Sequence, residues 1–107
     1  MGRKIDTKLG REDWKVIFTA PDYAVSNHGR VKSLRYGKLL KPRTVGHAGR
    51  QYMQVALRVD KEPVYRYVHR LVAHEFVPMP DFAYSVRHID GDARNNHFKN
   101  LEWVSFL

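Results

Sequence analysis

The 107-residue sequence predicts an α+β fold, with a small antiparallel sheet, one central helix and a hairpin after the helix. Three observations carry this prediction. Apolar and polar residues alternate as in strands from Trp14 to Tyr67, helical spacing begins at Val68, and two short apolar runs near the end flank a polar connection. A chain of this length is expected to form one compact domain.

The first strands are predicted from alternation and turn residues. Trp14, Val16 and Phe18 alternate with the residues between them over 14–19, which predicts a first strand. A tryptophan in such a pattern is expected to lie in the core rather than to stack on bases. Two further apolar runs over 23–34 surround a Ser-Asn-His-Gly turn, which is a hairpin signal.

The middle of the chain predicts two more strands and the helix. One face of residues 53–59 is apolar and the other is polar, which is typical of a half-buried strand. Residues 64–68 form a short strand after a turn. From Val68 the apolar residues recur at helical spacing until two prolines stop the helix, the first at Pro78.

The last two predicted strands cover residues 84–89 and 101–104, and Trp103 is expected in the core. The connection between them, 90–100, is rich in Asp, Gly and Asn. We expect three parts within the one domain: a polar arm (1–11), a basic strand-rich part that binds nucleic acid (12–67), and a helix with the hairpin (68–107).

Composition excludes several classes of protein. Cysteine is absent, which removes disulfides, thiolate zinc sites and cysteine nucleophiles. No uncharged stretch approaches the ~20 residues of a membrane helix or resembles a signal-peptide core. We therefore expect a soluble protein that is not secreted and has no membrane partner.

The net charge of +8 comes from one segment. Between residues 23 and 59 there is no acidic residue, whereas the rest of the chain balances its charges. A solvated surface is the simpler interpretation, but such surfaces usually mix signs. Double-stranded DNA or another nucleic acid is therefore the expected partner. The segment contributes the basic residues Arg30, Lys32, Arg35, Lys38, Lys41, Arg43, Arg50 and Arg58, and Arg66, Arg70, Arg87 and Arg94 are expected to extend the surface towards His88.

His88 and Asn100 are the candidate catalytic residues. An imidazole with a pKa near 6.5 can take a proton from water at neutral pH if another group fixes its direction, and an asparagine suits that role. On spacing alone, however, a single histidine beside a turn is usually only solvated or hydrogen-bonded. A zinc site at His69 and His74 is not expected, because their spacing does not place both on one helix face. Asp90 and Asp92 fit a turn better than a calcium loop.

The surroundings of this pair resemble a known family. The strings VHRLVAHEFVP, VRHIDGD, NN and NLEWVS, in this order from Val68 to Ser105, resemble the HNH homing endonucleases of phages and mobile introns. Upstream, WKVI and YAVSNHGRVKS resemble the nuclease-associated modular domain that often precedes the HNH unit. Together the matches run from about Glu12 to Ser105.

The resemblance implies a ββα-metal hairpin, which here lacks its closing helix, and a divalent metal, Mg²⁺ or Mn²⁺, as cofactor if the site is active. It makes His88 the general base that activates water and Asn100 the hairpin residue that holds it. Many members carry Asp or Asn as a metal ligand where this chain has Arg87. Another ligand comes from the helix beyond Asn100, and this sequence stops at Leu107. The metal ligands are therefore unknown, and the expectation is a C-terminally truncated member.

Two functions are consistent with these features. The first is a DNA-binding HNH endonuclease of phage or mobile-element origin that hydrolyses phosphodiester bonds with a metal ion, inside the phage-infected or bacterial host cell. The alternative is an inactive nuclease-derived module without cofactor that binds nucleic acid, a protein or a nucleoprotein complex, for example a phage inhibitor of a host defence system.

Overall fold

A computed structural model describes residues 11–47, 49–82 and 85–105. The predicted α+β class is confirmed, with antiparallel sheets and one α-helix. The predicted arm falls almost wholly outside the described residues, as do Tyr84 and the two C-terminal residues. The elements are β1 (Trp14–Ile17), β2 (Ala20–Ser26), β3 (Val31–Ser33), β4 (Arg43–His47), β5 (Arg50–Val59), β6 (Glu62–Tyr67), α1 (Val68–Phe76), β7 (Ser85–His88) and β8 (Leu101–Val104), with a 3₁₀ turn, Phe98–Asn100, before β8.

The first sheet has the order β1-β2-β3. Its first strand is a strand as predicted, but Trp14, Val16 and Phe18 do not form its core face. Ile17 is 2% exposed, whereas Phe18 is 89% exposed and Trp14 is only half-buried. Lys15 is exposed, and its ammonium lies over the Phe76 ring at 4.7 Å. A lysine can occupy such a position because its aliphatic stem packs while its charge reaches a polar group, here the Glu75 carbonyl at 2.7 Å.

The second sheet has the order β4-β5-β6. The predicted apolar face of β5 is confirmed, since Val55 and Leu57 are buried. Strand β4 was not predicted, because Val45 is its one aliphatic residue and Gly46 interrupts it. It pairs with β5 from Arg43 opposite Gln54 to His47 opposite Arg50.

Helix α1 packs the two sheets together. It begins at Val68, directly after β6, and its buried residues include Leu71, Val72 and Ala73. These side chains form one core with residues of β2, β5 and the last hairpin. The helix ends at Phe76, before Pro78, as predicted. No helix in the described part of the chain is long and apolar enough to cross a membrane.

The last hairpin pairs β7 with β8 antiparallel, from Ser85 opposite Val104 to His88 opposite Leu101. Trp103 is buried as predicted, and its indole N–H donates to the Val77 carbonyl at 3.1 Å. The hairpin therefore rests on the end of the helix and holds His88 at the point where β7 enters the polar connection.

Candidate active site and basic groove

His88 lies at the last position of β7 with its ring half-buried. Its Nε2 is 2.7 Å from Oδ1 of Asn96. An amide oxygen can only accept, so Nε2 carries the hydrogen and donates. In a neutral imidazole the other nitrogen, Nδ1, is then the basic one. The contact therefore fixes both the tautomer and the direction of a ring that can accept a proton at Nδ1.

Helix α1 contributes a second histidine beside this ring. His69 is buried, and its ring centroid lies 5.1 Å from that of His88 and 5.2 Å from that of Tyr52. The pKa of His69 is lowered to about 3, mainly by burial and to a smaller extent by the neighbouring His88 and Arg70. His69 is therefore uncharged at neutral pH, and its ring packs against the ring of His88.

Asn100 is fully buried and organises the connection that follows His88. Its Nδ2 donates to Oδ1 of Asp90 at 2.9 Å and to the Asn95 carbonyl at 2.8 Å. Its Oδ1 accepts from the Asp90 N–H at 3.1 Å. Asn100, which was expected to hold His88, does not contact the ring itself: its amide bonds to Asp90 and Asn95, and Asn96 makes the contact with the ring.

Asp90 is held as a carboxylate by the same connection. Burial acts to raise its pKa, but hydrogen bonds from Asn95, the Asp92 N–H and Asn100 outweigh this and leave the pKa below its ordinary value. The carboxylate thereby accepts hydrogen bonds from Asp92, Asn95 and Asn100, which lie on both sides of Asn96 in the sequence.

A groove of about 610 Å³ separates the β4–β5 hairpin from β7 and its connection. His88 contributes to its lining, together with Arg50 from β5, Arg87 from β7 and Arg94 from the connection. Arg87 also bonds to Glu102 across the hairpin at 3.0 Å, with both side chains about half exposed. Three arginines thus line the same groove as the His88 imidazole, which suits an anionic ligand.

The remaining predicted cations do not line this groove. Arg30 and Lys32 lie over the Trp14 ring at 5.7 and 4.1 Å, so they share a face as expected. Arg66 and Arg70 line a second cavity of about 440 Å³ beside Phe18, and the expected extension towards His88 does not include them. The other five lie elsewhere: Arg35, Lys38 and Lys41 are exposed between β3 and β4, and Arg43 and Arg58 are exposed on β4 and β5.

Arg30 also pairs with Glu12, to which its Nε and Nη2 both donate. This hydrogen bonding lowers the pKa of Glu12 to about 2 and raises that of Arg30. Part of the Arg30 charge is therefore neutralised within the chain.

A divalent metal ion is not accounted for by the described residues alone. No group of three or more His, Asp or Glu among residues 11–47, 49–82 and 85–105 is arranged to hold a metal. Asp90 is engaged in hydrogen bonds, and the residue before His88 is the cation Arg87. The described donor set does not fit a complete metal site, so the chemistry below uses only the chain's own side chains.

Asn96 is the site residue that sequence reasoning did not assign. It belongs to an Asn-Asn pair in the connection, and either asparagine could have faced His88. The available signal was its position in an irregular segment rich in polar side chains, which need hydrogen-bond partners when they are buried. Periodicity gives no information on side-chain direction there.

Comparison with known proteins places these features in a family. Residues 66–106 match an HNH endonuclease family and residues 12–58 match the NUMOD4 motif. The chain is 34% identical over 101 residues to "Uncharacterized HNH endonuclease L247" of Acanthamoeba polyphaga mimivirus, covering 94% of this chain and 24% of that protein. It is 36% identical over 83 residues to DNA endonuclease I-HmuI of Bacillus phage SP01, covering 78% of this chain and 46% of that protein.

A solved structure described as DNA binding and cleavage by the HNH homing endonuclease I-HmuI also matches. The TM-score is 0.73 at 36% identity, over 86% of this chain and 52% of that one. The chain thus spans about a quarter of the mimivirus protein and about half of I-HmuI.

The chain carries a NUMOD4 motif followed by an HNH endonuclease unit and shares the fold of the DNA endonuclease I-HmuI. Its relatives include HNH homing endonucleases. HNH nucleases generally use a divalent metal ion, and the I-HmuI homologue binds DNA.

Proposed function

We propose that this chain is the DNA-binding and cleaving part of an HNH homing endonuclease and that His88 is its general base. The single observation that carries the proposal is the pairing of His88 with Asn96 at the edge of a groove lined by three arginines. Family membership supports the reaction class, and the geometry supports the assignment of residues.

The proposed chemistry begins with a water molecule between His88 and a phosphodiester in the groove. Nδ1 of His88 takes a proton from the water as its oxygen bonds to phosphorus, and the bond from phosphorus to the leaving oxygen breaks. The imidazolium that forms keeps its Nε2–H bond to Asn96, which strengthens because the donor is now charged. A hydrogen bond that strengthens as charge develops favours the transition state over the ground state.

We propose that Arg50, Arg87 and Arg94 hold the phosphate near His88. Guanidinium groups bind phosphate with two parallel hydrogen bonds and remain charged at all relevant pH values. Residues 12–67 would supply most of the remaining backbone contacts, including those of Arg30 and Lys32 beside Trp14. Binding of this kind is expected to weaken steeply as salt rises.

The test is nicking of supercoiled plasmid by the purified chain with Mg²⁺, Mn²⁺ or EDTA. Metal-dependent nicking is expected for the wild type and is expected to be lost in His88→Ala. His74→Ala is the matched control, because His74 is an exposed histidine of α1 that contributes to neither the groove nor the Asn96 contact. Nicking that persists in His88→Ala, or that is lost equally in His74→Ala, would remove His88 from the role of base.

A second candidate function is a binding module without cleavage. The observation that favours it is Arg87, a cation paired with Glu102 directly before His88, where many family members are expected to carry a metal ligand. This candidate predicts salt-sensitive DNA binding by both wild type and His88→Ala with no nicking under any metal condition. The plasmid assay, combined with binding to a labelled duplex, separates the two.

A further inference from the structure

The β2–β3 turn of the NUMOD4 motif lies directly on the connection that carries Asn96. Three consecutive turn residues each contact one consecutive residue of the connection, in antiparallel order. The Asn27 carbonyl accepts from the Phe98 N–H at 2.8 Å, and His28 stacks on His97 with ring centroids 4.9 Å apart. The third contact is between Gly29 and Asn96.

The contact at Gly29 leaves no space for a side chain. A Cβ on Gly29 would lie 2.8 Å from both Cβ and the carbonyl oxygen of Asn96, closer than real Cβ atoms approach other atoms. Gly29 also has φ +93°, a conformation that L-residues rarely adopt. The turn backbone therefore packs directly against Asn96.

The turn is itself anchored on the opposite side. Asn27 is buried, its Oδ1 accepts from the Asp13 N–H, and its Nδ2 donates to the Arg11 carbonyl, both at 2.8 Å. Its own N–H donates to the Asp13 carbonyl at 3.1 Å. A turn that is held by hydrogen bonds on both sides has a fixed position, and it can therefore fix the position of the segment that packs against it.

We propose that the β2–β3 turn, Asn27 to Gly29, is a positioning element of the His88 site: it sets the place of Asn96 and, through Asn96, the tautomer and direction of the imidazole. The NUMOD4 motif then contributes to the catalytic geometry as well as to binding. The catalytic meaning of the inference rests on the proposed function, but the coupling between the turn and His88 can be measured without cleavage.

The first experiment records the imidazole nitrogen and side-chain amide NMR signals of the full chain at pH 7.5. Gly29→Ala is expected to shift the ring signals of His88 and the amide signals of Asn96. Gly37→Ala is the matched control, because Gly37 has φ +65° but open space around its Cβ position. It introduces similar backbone strain without the contact, and the signals of His88 and Asn96 should stay in place.

A second pair of variants keeps the test decisive if Gly29→Ala does not fold. His28→Ala removes the ring that stacks on His97 and is expected to shift the Asn96 and His88 signals, whereas His28→Phe keeps a stacked ring and should restore them. Unchanged His88 and Asn96 signals in folded His28→Ala, or equal shifts in the Gly37→Ala control, would overturn the proposal.

Nicking kinetics then separate this proposal from the proposed function. A positioning role predicts that His28→Ala lowers kcat for plasmid nicking about tenfold with KM unchanged, and that His28→Phe recovers most of the loss. Lower affinity with unshifted His88 signals would assign the turn to DNA binding alone and overturn the inference. Shifted His88 signals in a wild-type chain that never nicks DNA would leave the coupling intact and refute only the proposed function.

Discussion

Replacing Asn100 by alanine should destabilise the protein far more than the same change at Asn96. Asn100 is 0% exposed and makes three hydrogen bonds to groups of the connection, whereas Asn96 makes one, to the His88 ring. A typical hydrogen bond contributes ~1 kcal/mol net, and leaving its buried partner unsatisfied adds to the loss. We expect Asn100→Ala to lower the free energy of unfolding by about 3 kcal/mol and Asn96→Ala by about 1 kcal/mol.

Urea unfolding followed by tryptophan fluorescence measures both values, since the buried Trp103 reports on the hairpin that carries the two asparagines. At 0.05–0.15 kcal/mol per residue, a domain of this size has roughly 5–15 kcal/mol in total, so a loss of 3 kcal/mol is easily resolved. For nicking activity we expect the opposite order of the two variants. In folded protein at low temperature, Asn96→Ala should reduce nicking at least as strongly as Asn100→Ala does, because Asn96, and not Asn100, contacts the imidazole.

Asn100→Asp sharpens the comparison because it keeps the shape of the side chain. It replaces the Nδ2 donor by an oxygen facing the Asp90 carboxylate, so the destabilisation should be large at pH 7 and should shrink as acid protonates one of the two carboxyls. A loss below about 1 kcal/mol in Asn100→Ala, or a greater loss in Asn96→Ala, would refute the division of roles between the two asparagines.

Two further predictions follow from the charges around the site. Because the pKa of His69 in the folded protein is about 3, the unfolded chain takes up a proton below about pH 6.5 that the folded protein excludes, so stability should fall as pH drops from 6.5 towards 3. At pH 5 this lowers the free energy of unfolding by about 2 kcal/mol. Urea unfolding at pH 7 and pH 5 should show this loss in the wild type, and the loss should be smaller by about 2 kcal/mol in His69→Phe. Replacing Arg50 and Arg94 together by alanine should weaken duplex binding and reduce the slope of log K against log salt by about 2, one for each lost phosphate contact. Fluorescence anisotropy measures that slope, and an unchanged slope, or an equal change in the exposed control Lys61→Ala, would contradict the assignment of the groove.

The core could be predicted from the sequence where one face of an element is uniformly apolar. The face of β5 that carries Val55 and Leu57 and the buried stripe of α1 agree with their sequence periods. Strand β1 shows where period alone fails, since its apolar residues occupy both faces. Ile17 is its one buried residue, whereas Val16 in the strand and Phe18 just after it are exposed.

The candidate site was predicted in part. The position of His88 at a strand end and the basic character of its surroundings follow from residue types and spacing. The partner of the ring does not, because residues 89–97 have no regular secondary structure and no period to show which side chain points inward. Hydrogen bonding decides the matter: the Asn100 amide is engaged by Asp90 and Asn95, and Asn96 is left to meet the ring.

The connection after His88 has to be stabilised from outside its own hairpin. Asn96 and His97 are buried in a segment without strand or helix pairing, so other elements have to pack against them. The hairpin satisfies Asn100, but the Phe98 N–H, the His97 ring and the backbone of Asn96 meet the β2–β3 turn. An HNH hairpin separated from residues 12–58 would lose all three contacts at once. The Asn96–His88 bond depends on that packing, which gives a physical reason for the two motifs to form one folded unit in this chain.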